Sequence, residues 1–370
     1  MRRILMIALV LALLAAACGG DGNSELVDAA AACEAGEVDG NLDLYNWSEY
    51  IEPELISAFE AEYGVTINES FYDSNEAMLP QIESGGNDYD LVVPSDYTVT
   101  IMSEEGLIIP LNKDALPNLS NLDPAFTGLP YDENDEYSVP YQWGTSGIGY
   151  TYDVVPEDWE VSWEIIFDPG FAPEVSGSIS LLNDPRETMG IALKYLGYSI
   201  NTTDQGELDE AVELILSIKD RIKLFDSDQF EDLLVSGETT VAHGWSGDFF
   251  AAFDEASTDD YDAYEDFGYG IPKEGAVAWV DTMAIPITAD SPCTAHTFIN
   301  FILDAENGAA LTNFNFYASP NAASEPFIDP EILEDETIYP PDDVFERLEF
   351  LADTGDFETN YSDALNEVKS

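Results

Sequence analysis

From residue 42 onward the apolar positions change period repeatedly, from every second residue to every third or fourth and back. Leu42-Asp43-Leu44-Tyr45-Asn46-Trp47 alternates as a strand does. Pro53 to Tyr63 carries Leu55, Ile56, Phe59 and Tyr63 along one helical stripe. Val65 to Phe71 returns to a strand pattern, Met78 to Ile82 fits a short helix, and Asp90-Leu91-Val92-Val93-Pro94 is an apolar strand ending at Pro94-Ser95. This β-α-β-α-β order predicts an α/β protein with a mostly parallel sheet flanked by helices. Ligands of such sheets bind beyond the carboxyl ends of the strands, where both Trp47 and Ser95 fall.

A second unit of the same kind begins near Gly147. Ser178 to Leu182 reads as a strand, Arg186 to Leu196 as a helix, and Leu208 to Lys219 as a longer helix with Leu208, Ala211, Val212 and Ile215 on one face. Thr240 to Trp245 is a strand that ends at a tryptophan, and Ala278 to Pro286 is strand-like and placed to cross between the units. Ala295 to Leu303 is an apolar helix, and Tyr361 to Val368 closes the chain as another. The 370 residues suffice for two such domains.

The first residues follow a different logic. Met1-Arg2-Arg3, an apolar run from Ile4 to Leu14, and Ala15-Ala16-Ala17-Cys18 make a secretory signal too short to span a membrane. The cysteine after small residues resembles a bacterial lipoprotein processing site, which assigns lipidation to Cys18 and puts the folded body outside the plasma membrane. Residues 19–41, opening with Gly19-Gly20-Asp21-Gly22-Asn23-Ser24, read as a flexible tether. Two cysteines remain, Cys33 and Cys293; in an oxidising compartment they either pair, stapling the N-terminal segment to the body, or stay as separate thiols.

Charge narrows the ligand class. Eleven Lys and Arg against 75 Asp and Glu leave a net charge of −64, which excludes a nucleic-acid groove. Exposed charges are screened beyond about 8–10 Å, so most of this acidity reads as a solvated surface suited to saline surroundings. It concentrates cations without choosing one. His243 and His296 do not stand at metal-ligand spacing from a cysteine, and G-x-S-x-G, H-E-x-x-H, P-loop and G-x-G-x-x-G motifs are absent, so neither a metal, a cofactor nor catalysis is expected.

Aromatics recur beside acids and hydroxyls at the strand ends. Trp47-Ser48-Glu49-Tyr50 follows the first strand and Ser95-Asp96-Tyr97 the third. Asp184-Pro185-Arg186-Glu187 opens a helix, with Arg186 read as orienting its acidic neighbours. Trp245, Trp279-Val280-Asp281 and Tyr317 complete the set. Each alone is more simply core packing or a helix cap; the recurrence points to a site.

Several of these segments together resemble the bacterial spermidine/putrescine-binding proteins of ABC transporters: Leu44-Tyr45-Asn46-Trp47-Ser48-Glu49-Tyr50, Tyr89 to Ser95, Tyr137 to Gly144, Trp279-Val280-Asp281 with Ala284-Ile285-Pro286, and Ser319-Pro320-Asn321. The resemblance runs from about residue 42 to about 325. It implies a two-lobed periplasmic-binding-protein fold, with residues 42–145 and 280–325 in lobe I, 146–279 and 326–370 in lobe II, and the ligand in the cleft between. The family's aromatic positions fall on Trp47, Tyr50, Tyr97, Trp245, Trp279 and Tyr317, its hydroxyls on Ser48, Ser95 and Ser227, and its acids on Asp184, Glu187 and Asp281. A polar amide of the family falls at Leu351, which bears on the choice among polyamines.

What the resemblance implies is physically coherent. A polyamine alternates methylene segments, which suit flat aromatic walls, with ammonium groups, which gain about 0.5–2 kcal/mol from ring faces and need carboxylates when desolvated. Asp184 and Glu187 are assigned one terminal ammonium and Asp281 an inner amine. The implied partners are the ligand and a membrane permease, met by a single copy of the chain tied to the membrane through its lipid alone. Two alternatives stay open: another cationic solute, and a secreted carboxylate-dependent hydrolase.

Overall fold

The computed structural model describes residues 21–85, 88–156, 159–258 and 260–370. Cys18 and its lipidation lie outside them. Among the described residues, ten strands form one curled sheet: β1 (Leu42–Trp47), β2 (Ile67–Tyr72), β3 (Leu91–Val92), β4 (Ser138–Thr151), β5 (Ile179–Leu181), β6 (Ile222–Phe225), β7 (Val241–Trp245), β8 (Phe267–Gly270), β9 (Val277–Ala284) and β10 (Glu349–Phe350). The main order is β2-β1-β3-β9-β4-β7-β5-β6, with β10 beside β9 and β8 beside β4.

The flanks are the parallel units that the periodicity predicts: β1 pairs parallel with β2 and β3, and β5 with β6 and β7. The middle is antiparallel, through β9 with β3 and β4 and through β4 with β7 and β8, so the sheet as a whole is mixed while each flank keeps its parallel pairing. β4 and β9 join the two lobes. Val139 and Tyr141 at the start of β4 share a core with Leu42, Leu91 and Phe298, whereas Ile148 and Tyr150 near its end share one with Ile179, Leu193 and Leu208. β4 bulges between Pro140 and Gln142, where its register against β9 shifts.

The helices follow their sequence signals. Pro53–Tyr63 starts with Pro at its first turn, buries Leu55 and Phe59, and ends at Gly64 with φ 71°. Pro185–Leu196 likewise starts on a proline and stops at Gly197 with φ 84°.

Residues 21–40 are not the expected tether. Asp21–Ala31 is a helix whose Ala30 is fully buried, and Cys33 is disulfide-bonded to Cys293 with Cα atoms 5.2 Å apart. The Asp39 carboxylate accepts from the Thr294 N–H at 3.0 Å, and Thr297 Oγ1 donates to the Glu37 carbonyl at 2.6 Å. The run Leu26-Val27-Asp28-Ala29-Ala30-Ala31 is good helix material, and the glycines ahead of it masked that. No helix among the described residues is long and apolar enough to cross a membrane.

Candidate ligand-binding cleft

A cleft opens where the carboxyl ends of β1, β3 and β7 face one another. All twelve residues singled out from the sequence line it: Trp47, Ser48, Tyr50, Ser95, Tyr97 and Asp184, together with Glu187, Ser227, Trp245, Trp279, Asp281 and Tyr317. Six others were missed: Glu49, Tyr72, Asn75, Asp228, Glu231 and Asp248. Leu351 is also in the wall.

The aromatic side is a chain of ring contacts. Trp47 packs on Tyr72 at 4.7 Å between centroids, Tyr50 on Tyr317 at 5.3 Å, and Trp279 on Tyr317 at 5.1 Å, the last two edge to face. Trp47 Nε1 donates to the Val93 carbonyl at 3.0 Å, and the Tyr72 hydroxyl donates to the same oxygen. Gly144 makes this packing possible: a Cβ there would stand 2.7 Å from Trp279 Cζ2 and 3.1 Å from Tyr317 Cδ1. Across the cleft Trp245 meets Trp47 edge to face, 5.6 Å between centroids.

Asp281 lies on β9 within this ring wall and is 5% exposed. Ser95 Oγ donates to its Oδ1 at 2.6 Å and the Tyr50 hydroxyl to its Oδ2 at 2.9 Å. Asn75 fixes Ser95 in turn, by Nδ2 to Ser95 Oγ at 3.0 Å and by accepting the Ser95 N–H at 3.1 Å. Burial pushes the Asp281 carboxyl up to about 7, against the lowering effect of its two hydroxyl donors.

The opposite wall is acidic and rests on helix starts. Asp184 caps Pro185–Leu196, accepting the N–H groups of Arg186 and Glu187 at 2.9 Å each. Glu187 Oε1 accepts from Ser146 Oγ at 2.8 Å and from Trp245 Nε1 at 3.3 Å, while His243 Nε2 lies 3.7 Å from its Oε2. Glu231 and Asp248 occupy the first turns of Phe230–Val235 and Ser246–Ala256. Helix N-termini favour anions, yet burial dominates: it raises Glu231 to about 9 and Asp248 to about 7, and lifts Asp184 well above its usual range. Ser227 Oγ accepts the Asn183 N–H at 2.9 Å.

Arg186 does not orient Asp184 or Glu187 with its side chain. Its Nη1 reaches Glu358 Oε1 at 2.5 Å, its Nη2 reaches Asn201 Oδ1 at 2.8 Å, and the guanidinium lies between the rings of Tyr97 and Tyr361. The described lining of the cleft therefore holds seven carboxyl groups (Glu49, Asp184, Glu187, Asp228, Glu231, Asp248 and Asp281) and no Lys, Arg or His.

Residues 54–340 match the family model of bacterial extracellular solute-binding proteins. The chain belongs to that family. This solute-binding protein is 34% identical over 330 residues to the spermidine/putrescine-binding periplasmic protein of Escherichia coli K12, covering 89% of this chain and 91% of the relative. It is 35% identical over 318 residues to a putrescine/cadaverine-binding protein of Pseudomonas aeruginosa, covering 84% and 88%. Among solved structures, a putative spermidine/putrescine ABC transporter protein of Listeria monocytogenes superposes with a TM-score of 0.82 at 38% identity, over 90% of this chain and 99% of that one. The two-lobed architecture of the solute-binding protein is the one its structural relatives share.

The acids missed in the sequence share one cause. In a chain with 75 carboxylates, an acid in the first turn of a helix is ordinary. One usable signal was present: Asp248 stands in the first helical turn directly after Trp245, which ends β7.

Proposed function

We propose that this solute-binding protein captures a linear polyamine outside the plasma membrane and delivers it to the permease of an ABC transporter. The observation that carries the reading is the cleft wall itself: aromatic rings interleaved, among the described lining, with seven carboxyl groups and no basic side chain. An amino acid or other zwitterion would bring a carboxylate into that wall with nothing to receive it. A slim chain of methylenes and ammoniums meets rings with the first and carboxylates with the second. The similarity to polyamine-binding relatives supports the same ligand class.

In this reading Asp281, held by Tyr50 and Ser95, takes an inner amine, and Asp184 with Glu187 takes an ammonium at one end. Ser48, Ser227 and the rings of Tyr97 and Trp245 complete the enclosure. The opposite end falls to Glu231 and Asp248, which the sequence reading left without a role. Binding uses contacts from both lobes, so the ligand favours the closed form by its differential affinity. No bond is made or broken. The protein acts as a single copy, with Cys18 lipidated as its link to the membrane and residues 42–145 with 280–325 moving as one lobe against residues 146–279 with 326–370.

A thermal-shift panel in high salt tests the reading, with putrescine, spermidine, spermine, arginine and sugars as ligands. Polyamines are expected to raise the melting temperature by mass action and the others to leave it unchanged. Stabilisation by sugars or arginine with none by any polyamine rejects it.

A further inference from the structure

A second pocket, open to solvent on one side, adjoins the cleft. Tyr97 and Leu351 line both spaces and form the partition between them. Beyond the partition stand Asp96, Tyr131, Val280 and Phe350, with no Lys, Arg or His among the described lining. The second space thus repeats the chemistry of the first: aromatic faces, apolar wall and a buried acid.

Asp96 is that acid, and it is only 3% exposed. Its Oδ1 accepts the Tyr97 N–H at 2.7 Å and its Oδ2 the Val280 N–H at 3.4 Å. It has no cationic partner in contact. Arg186, on the far side of the Tyr97 ring at 5.4 Å from its centroid, is engaged by Glu358 at 2.5 Å. Burial holds the Asp96 carboxyl up to about 8, the behaviour of an acid that a neighbouring cation would help to ionise. The partition favours the same direction. Leu351 offers neither donor nor acceptor, so a ligand's methylene segment, not its ammonium, suits that point.

We infer that the cleft continues past Leu351 into this rear chamber, and that the chamber receives the distal ammonium of a linear polyamine with four or more amino groups, paired with Asp96. The inference rests on the polyamine reading of the cleft and extends it to ligand length. A diamine or triamine fills the front cleft alone. A longer chain crosses the partition at Leu351 with methylenes and places its last charge at Asp96, between the Tyr97 and Tyr131 rings.

Calorimetric titration of the whole protein with putrescine, spermidine and spermine, in high salt, separates the possibilities. Asp96→Asn removes the charge, and Thr100→Phe fills the chamber from the helix Asp96–Glu104 without touching the front cleft. Both variants are expected to weaken spermine by about 30-fold or more, the low end of truncating a buried charge pair. Putrescine and spermidine should stay within about twofold in both. An equal change for all three amines, or unchanged spermine affinity in both variants, overturns the rear chamber. A wild-type protein that binds none of the three overturns the polyamine reading itself, a separate outcome.

Discussion

The two walls of the cleft are built by different means. The wall formed around β1, β3 and β9 is mostly rings, held by edge-to-face contacts and by close approach at Gly144, with Asp281 buried among them. The wall formed by the starts of Pro185–Leu196, Phe230–Val235 and Ser246–Ala256 is mostly acids, with Trp245 as its ring. Packing defines the first, so its shape is fixed before any ligand arrives. Electrostatics defines the second, so its state depends on what cation it faces. Helix N-termini favour ionised acids there, but desolvation outweighs them and leaves Glu231, Asp248 and Asp184 raised. In the proposed mode a polyamine brings charge to the acidic wall and to Asp281, and methylenes to the rings.

The contrast is sharpest at Asp281, an acid in the ring wall. Asp281→Ala is expected to weaken calorimetric polyamine affinity by about 2–5 kcal/mol, as for truncation of a buried charge partner. Unchanged affinity removes Asp281 from the site. Gly144→Ala attacks the ring wall through packing alone. Its Cβ falls 2.7 Å from Trp279, so thermal or denaturant unfolding should show a loss of about 1–3 kcal/mol, with weaker binding following from the displaced ring.

The acidic wall is tested by pH. Asp281 and Asp248 stand near 7 and Glu231 near 9, all raised by burial, and a bound cation favours their ionised forms. Binding should therefore release protons, and affinity should fall as pH drops below about 9, where Glu231 protonates, and more steeply below about 7, by up to about tenfold per unit for each proton exchanged. Titrations in buffers of different ionisation enthalpy read this directly, and buffer-independent heats contradict it. The sign for the unliganded fold is opposite. Acids whose folded values exceed the unfolded ones bind more protons when folded, so stability declines as pH rises from about 4, up to about 7 for Asp281 and Asp248 and up to about 9 for Glu231. Trp245→Ala gives the smallest effect, about 1 kcal/mol in affinity, since it removes one ring face and one donor to Glu187.

Much of this arrangement was legible in the sequence because it follows local rules. Leu42–Trp47 alternates and is a strand; Pro53–Tyr63 has a stripe, a starting proline and a stopping glycine and is a helix. The rings announced themselves through rare residues: of six tryptophans in 370 residues, Trp47 and Trp245 end strands and line the cleft with Trp279. β4 escaped notice. It is buried along nearly all of its fourteen residues, so it shows no alternation, and Gly144, Gly147, Gly149 and Pro140 look like loop material. Those glycines serve close approach instead: a Cβ on Gly149 would lie 2.2 Å from the Phe249 ring. The acidic wall was only half legible for the opposite reason, an abundance of carboxylates among which the buried ones carry no mark. Burial is a property of the fold, and the neighbours that bury Glu231 and Asp248 come from distant segments.

Trp47 and Trp245 touch at 5.6 Å although they end strands of the two separate parallel flanks of the sheet. Two indoles at that spacing couple optically, so the protein carries its own gauge of aperture. Any hinge movement that parts the walls must alter their emission and their circular dichroism. Gating could thus be followed in real time on the unlabelled molecule.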